Sequence, residues 1–104
     1  MAIHVNDINT KFILTVTDEA TGSPVDISGA LTKEIKFTQP NGVTWMRNAL
    51  FVAGGVDGRL QYFFAAGELV IDGSWAAQVK VSLPGGTWHT NIVKFEVFPN
   101  LSGW

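Results

Sequence analysis

The sequence predicts an all-β protein, an immunoglobulin-like antiparallel β-sandwich of about seven strands. Residues that favour strands, the β-branched and aromatic types, occupy 39 of the 104 positions. Turn signals rich in glycine, proline, asparagine and aspartate recur at short intervals, at residues 21–24, 40–42, 57–58, 72–73 and 84–86. Between these turns apolar and polar residues alternate, as they do in half-buried strands. Several short strands at this spacing are typical of a sandwich.

The first strands follow from this alternation. Phe12, Leu14 and Val16 share one face of a strand at residues 11–17. Further strands are predicted at residues 31–38, 43–53 and 58–64, with a weaker one near residues 3–8 or 25–27. Residues 60–66 have apolar residues at helical spacing, but the segment is too short for a typical helix. It is therefore predicted as strand, with one helical turn around residues 66–70.

The clearest strand covers residues 74–83. Its inward face carries Trp75 and a series of smaller apolar residues, so Trp75 is predicted to be part of the core. In residues 87–98 the apolar residues change phase, which indicates a β-bulge near residues 92–93. The whole length fits one domain, which we expect to span residues 1–98, followed by a tail at residues 99–104.

Composition excludes several classes of function. Seven basic and nine acidic residues give a net charge of −2, which leaves no basic surface for nucleic acid. The chain has no cysteine, so disulfides and thiolate sites are excluded. No apolar run is long enough to cross a membrane, and the first residues lack the features of a signal peptide. We therefore expect a protein made in the cytoplasm and not secreted.

Residues that could carry catalysis or hold a cofactor are sparse. The two histidines, His4 and His89, have no local carboxylate spacing that would complete a metal site. No serine has the setting of a hydrolase nucleophile. Four acids in predicted loops, Asp18, Asp26, Asp57 and Asp72, leave a calcium site as an alternative. We predict no enzyme activity, no catalytic residue, no metal and no cofactor.

The surface is predicted to be unusually apolar. Charged residues make up 15% of the chain and the mean hydropathy is +0.19, and large exposed apolar areas mark interaction sites. Residues 43–53 are apolar on both faces, and the tail is apolar where most tails are polar. The predicted partner-interface anchors are aromatic or large apolar residues: Trp45, Phe98, Leu101 and Trp104.

The aromatic residues also allow a different prediction. Tyr62, Trp45, Trp88 and Trp104 would form a platform for stacking sugar rings if they came together on one surface. A carbohydrate-binding module for host adhesion is therefore the alternative that comes from a different functional class.

The order of strands and turns resembles the N-terminal immunoglobulin-like domain of phage baseplate upper proteins. The segment Pro-Val-Asp-Ile-Ser-Gly-Ala at residues 24–30 is the most particular part of the resemblance. All the matching segments, in order, are residues 12–18, 22–30, 36–42, 57–62, 72–79, 84–87 and 95–97. In that family a long fibre-forming region follows the module, and this sequence has none after Trp104.

The resemblance implies a non-enzymatic virion structural protein, an adaptor of the baseplate or tail fibre. A capsid or tail decoration protein of the same fold is the related alternative. Its expected partners are further copies of itself, as a homo-oligomer, and neighbouring virion proteins, with no nucleic acid and no membrane. The expected location is the virion.

Overall fold

The computed structural model describes residues 3–18, 20–90 and 92–101. The nine strands of the described residues are β1 (Ile3–His4), β2 (Lys11–Thr15), β3 (Thr32–Thr38), β4 (Thr44–Asn48), β5 (Leu50–Phe51), β6 (Arg59–Phe63), β7 (Gly73–Leu83), β8 (Gly86–His89) and β9 (Val93–Phe98). In this part of the chain, no helix has the length and apolar character needed to cross a membrane.

The strands form two sheets, and the predicted all-β sandwich is confirmed. The larger sheet has the order β1-β9-β7-β3-β4, with β8 also paired to β7. The smaller sheet has the order β2-β6-β5. Neighbouring strands are antiparallel except for the short parallel pair β1 and β9. The strand count exceeds seven because two segments predicted as single strands are each divided in two.

The core between the sheets is apolar and rich in aromatic rings. Trp75 is 1% exposed, as predicted, and its indole Nε1 donates a hydrogen bond to the Ile71 carbonyl oxygen at 2.9 Å. Phe37 is fully buried and packs 4.6 Å from the Trp45 ring and 5.1 Å from the Phe64 ring. No polar or charged residue among those described is buried. The hydrophobic effect therefore accounts for most of the cohesion between the sheets.

Residues 43–53 change sheets, and Trp45, Ala49 and Phe51 face the core on either side of the crossing. Strand β4 pairs with β3 in the larger sheet, whereas β5 pairs with β6 in the smaller sheet. Ala49 lies between the two strands, is 2% exposed, and donates its N–H to the Lys33 carbonyl oxygen. The single strand predicted here is therefore wrong. The other face stays exposed, with Met46 at 55% and Leu50 at 56%, so burial in the sandwich does not account for its apolar character.

The irregularity predicted near residues 92–93 lies at residues 90–92. Strands β8 and β9 pair with the same edge of β7, with a break between them. Thr90 spans this break: its N–H donates to the Val79 carbonyl oxygen, and its Oγ1 accepts from the Val79 N–H at 3.0 Å. The Thr90 side-chain oxygen thus takes the place of a backbone carbonyl acceptor. This allows the alternation of inward and outward residues to shift by one between β8 and β9.

The connection between β2 and β3 fills one end of the core. Ile27 is fully buried within it, and Asp26 accepts hydrogen bonds from the N–H and the hydroxyl of Ser28. The Val25 N–H donates to the Val16 carbonyl oxygen. Gly58 lies beside this segment, where a Cβ would approach the carbonyl oxygens of Val16 and Val25 to 2.8 Å. Glycine is therefore required at residue 58 for the connection to lie against the smaller sheet.

We expect Gly58→Ala to destabilise the domain more than Gly42→Ala. Both glycines have positive φ, 75° and 86°, so an alanine at either site costs about 1–2 kcal/mol of backbone strain. Only residue 58 adds a clash with backbone atoms, worth roughly a further 1–3 kcal/mol, since nothing lies within 4 Å of a Cβ at residue 42. Chemical denaturation measures both. Equal losses of unfolding free energy would show that residues 16–27 do not press against Gly58.

Candidate functional site

An open groove lies at one end of the sandwich, where β7 and β8 extend past the smaller sheet. Its volume is about 650 Å³. Its lining residues come from the segment after β2 and from β7 and β8: Val16, Thr17, Asp18, Val25, Ile27, Val81, Leu83, Thr87, Trp88 and His89. The size falls within the usual range for binding pockets.

One wall of the groove is built by the hairpin of β7 and β8. Trp88 lies opposite Val81 in the register of the two strands, and Val81 belongs to the buried face of β7. Trp88 is nevertheless 49% exposed, because no strand of the smaller sheet covers this position. An exposed tryptophan beside buried aliphatic residues offers a large contact area to a partner.

The opposite wall is held in place by backbone hydrogen bonds. The Val16 N–H donates to the Gly58 carbonyl oxygen, and the Val25 N–H donates to the Val16 carbonyl oxygen. Thr17 and Pro24 form an isolated antiparallel bridge just beyond. Because these bonds fix the backbone on this side, the groove is preformed. A preformed site loses less conformational entropy on binding.

The groove runs along an open sheet edge. Strand β8 pairs only with β7 in the described residues, and all four of its residues are exposed. The free edge of a strand presents backbone N–H and C=O groups that an additional strand can bind. Apolar side-chain contacts and a backbone hydrogen-bonding edge therefore lie next to each other at this site.

The two histidines lie at different places along the larger sheet. His4 is in β1, beside the part of β9 that pairs with Gly73, whereas His89 lies opposite Lys80 on β7. Seven residues of extended strand separate these positions, a distance of roughly 23 Å. Within residues 3–18, 20–90 and 92–101 no three His, Cys, Asp or Glu residues lie close enough to hold a metal ion.

Three of the four loop acids considered for calcium, Asp18, Asp26 and Asp57, accept hydrogen bonds within their own turns. Asp18 accepts the Ala20 N–H, and Asp26 accepts both Ser28 donors, which lower the pKa of the Asp26 carboxyl. Asp57 pairs with Arg59 at 2.7 Å, and this hydrogen bond lowers the pKa of the Asp57 carboxyl. Each acid stabilises its own turn, as short acidic side chains commonly do.

The main polar cluster of the described chain is structural. Glu68 accepts hydrogen bonds from the Tyr62 hydroxyl at 2.7 Å, from Arg47 Nε at 2.9 Å and from the Ala65 N–H at 2.6 Å. The Arg47 guanidinium also lies 4.6 Å from the centre of the Trp45 ring. Both oxygens of the Glu68 carboxylate thus accept hydrogen bonds, and these contacts join β4 of one sheet to β6 of the other.

The sugar-binding platform predicted from four aromatic residues is not assembled. Trp45 and Tyr62 are half-buried and face each other at 6.4 Å between the sheets, where both contact the core. Trp88 lines the groove at the end of β7. Trp104 lies outside the described residues.

The structure places the four predicted interface anchors in different surroundings. Trp45 packs against Phe37, so its contacts are within the domain. Phe98 is 44% exposed and lies 5.8 Å from the His4 ring, whereas Leu101 is 81% exposed. Between them, the Asn100 side chain donates to the Val5 carbonyl oxygen at 2.8 Å. Trp104 is outside the described residues, and the interface role of these four residues stays a prediction.

The sequence analysis missed the groove because its walls are far apart in the chain. Residues 16–27 and residues 81–89 show no pattern that links them. One available signal was the length of the strand predicted at residues 74–83, which exceeds that of the strands predicted at residues 11–17 and 58–64. Part of its inward face therefore had no sheet to cover it.

Comparison with known proteins identifies a solved structure with a similar fold. No protein-family model and no curated protein matches the sequence. Among solved structures, CopC from Methylosinus trichosporium OB3b is similar, with a TM-score of 0.61 and 16% sequence identity. The similarity covers 99% of this chain and 89% of that one. At this identity it shows a common immunoglobulin-like sandwich, and the resemblance to baseplate upper proteins stays a prediction.

The predicted virion role is contradicted by this finding. The similarity to CopC points away from a virion structural protein, whether adaptor or decoration module. It also conflicts with the predicted location, that of a protein that is not secreted and resides in the virion. We therefore withdraw the virion function and location.

The described residues do not fit a copper site. Copper in proteins is typically held by several nitrogen or sulfur ligands in one place. His4 and His89 lie roughly 23 Å apart on the strand spacing given above, and the Asp7 carboxylate accepts the His4 backbone N–H at 3.0 Å.

The single tyrosine of the chain allows a direct test of the polar cluster. Burial, and then the hydrogen bond to Glu68, raise the pKa of Tyr62 to about 12. An unfolded tyrosine titrates near pH 10, so the fold retains this proton more strongly than the unfolded chain does. The Tyr62 contribution to unfolding free energy is therefore constant below about pH 10 and lost between about pH 10 and 12.

Ultraviolet titration of the phenolate measures this pKa without interference from another tyrosine. We expect a midpoint near 12 in the native chain and a lower midpoint in Glu68→Gln, in which the negative neighbour is removed. The midpoint of that variant stays above 10, because the burial remains. A native midpoint near 10 would show that Tyr62 is solvated and the cluster is not formed.

Proposed function

We propose that this chain is a non-enzymatic binding protein whose groove receives an extended apolar peptide segment. The observation that carries the proposal is the half-exposed Trp88, which stands in an apolar groove beside the unpaired edge of β8. A peptide in this position would pack side chains against Trp88 and Leu83 and bind the β8 backbone. This is the recognition mode in which a peptide adds a strand to a sheet.

The chemistry of the groove favours a peptide over a small polar ligand. Six of its ten lining residues are apolar, and the polar ones are two threonines, Asp18 and His89. A site for a small polar molecule needs several convergent polar groups to fix its orientation. A strand edge instead supplies regularly spaced backbone donors and acceptors, which suit another extended backbone.

Selection from a displayed library of random short peptides tests the proposal. We expect enriched peptides to be uncharged and to contain aromatic or large aliphatic residues. Calorimetry with the synthetic peptides should then show binding to Trp88→Ser at least about 30-fold weaker, as expected when a central aromatic contact is lost. Phe63→Ser is the matched control, since Phe63 is 41% exposed and lies on β6, away from the groove.

Amide chemical-shift mapping on the native chain provides a second measurement that does not rely on a variant. Peptide-induced shifts should cluster in residues 16–27 and 81–89. The proposal fails if the library yields no enrichment, if Trp88→Ser binds the peptides as well as the native chain does, or if the shifts map to another surface.

A further inference from the structure

Two apolar surfaces lie at opposite ends of this molecule. The first is the groove, which lies at the C-terminal end of β7. The second lies at residues 99–101, the described part of the segment 99–104 after β9, which we call the apolar tail. Leu101 in this tail is 81% exposed, the highest value among the large apolar residues described. The molecule is elongated, with extents of 49 × 23 × 21 Å.

The tail leaves the sandwich in the direction away from the groove. Strand β9 runs antiparallel to β7, and Val97 lies opposite Gly73, the first residue of β7. The chain therefore passes beyond the start of β7, while the groove lies near Val81 and Leu83. The Asn100 side chain then binds the Val5 carbonyl oxygen, which holds the first part of the tail on β1 of its own domain.

Residues 101–104 cannot reach the groove of their own domain. Gly73 and Val81 are eight residues apart on an extended strand, a separation of about 26 Å. The segment Leu101–Trp104 follows the Asn100 contact, and four fully extended residues span about 14 Å. A contact between this segment and a groove therefore requires two copies of the chain.

We propose that residues 101–104 of one copy occupy the groove of a second copy, which links the chains head to tail. This proposal rests on the proposed function, because it names the peptide that the groove binds. Leu101 and Trp104 supply the large apolar side chains that pack against Trp88 and Leu83. The tail has no charged side chain, so its packing in the groove buries no charged side chain of its own.

Each copy contributes one tail and one groove, and these are different surfaces. Such an interface is heterologous, so repetition produces a closed ring or an open chain rather than a simple two-fold dimer. This property separates the proposal from self-association through one exposed sheet face. It also makes the two surfaces separable by mutation.

A mixing experiment tests the proposal with full-length chains. Trp88→Ser removes the groove wall and retains the tail, whereas the double variant Leu101→Ser/Trp104→Ser retains the groove and loses the tail. We expect each variant to be monomeric by size-exclusion chromatography with light scattering, with self-association at least about 30-fold weaker than in the native chain. Their equimolar mixture should form a dimer and nothing larger, because one intact tail and one intact groove remain per pair.

The matched control is Val43→Ser, which changes an exposed apolar residue of the turn before β4 and should leave the oligomeric mass as in the native chain. Isotope-filtered contacts between labelled and unlabelled native copies provide a measurement independent of the variants. We expect them between Leu101 and Trp88. The proposal is overturned if the native chain is monomeric at all concentrations, if either variant still assembles, or if the mixture stays monomeric.

These outcomes separate the two proposals. Library peptides that bind the groove, together with an oligomeric mass unaffected by the tail variant, would refute the head-to-tail contact and leave the proposed function intact. Peptide binding unaffected by Trp88→Ser would refute the proposed function, and the tail proposal with it.

Discussion

The length difference between the two sheets governs the rest of this structure. Strand β7 has eleven residues, whereas the strands of the facing sheet have five, five and two. The core face of β7 alternates apolar residues along its whole length, from Trp75 to Leu83. The small sheet can cover only part of that face. The remainder must be buried by other parts of the chain or remain available to a partner.

The chain meets this constraint with irregular backbone at three places. The connection after β2 inserts Ile27 into the uncovered end, where Gly58 permits its close approach. Ala49 transfers the chain from one sheet to the other, which gives the small sheet its third strand. Thr90 divides the last strand so that β8 and β9 share one edge of β7. After these adjustments Trp88 still has no covering strand, and the groove results.

Much of the fold could be predicted from the sequence because strand periodicity is a local property. The inward face of Trp75 and most turns follow from alternation and from glycine chemistry. The crossing at Ala49 could not be predicted, since Trp45, Ala49 and Phe51 keep the alternation that one continuous strand would show. The groove was missed for a different reason: its walls are joined only by tertiary contacts such as the bond from Val16 to Gly58.

The positions of the unburied apolar residues bear on how copies of this chain would assemble. An uncovered strand edge and an exposed apolar segment each favour unspecific association, particularly in a chain with few charged residues. A two-fold contact through the groove alone would protect the β8 edge and leave Leu101 exposed, since the two lie at opposite ends of β7. A head-to-tail contact covers both surfaces at once. One interface thus removes two sources of aggregation, and in a closed ring no apolar end remains free.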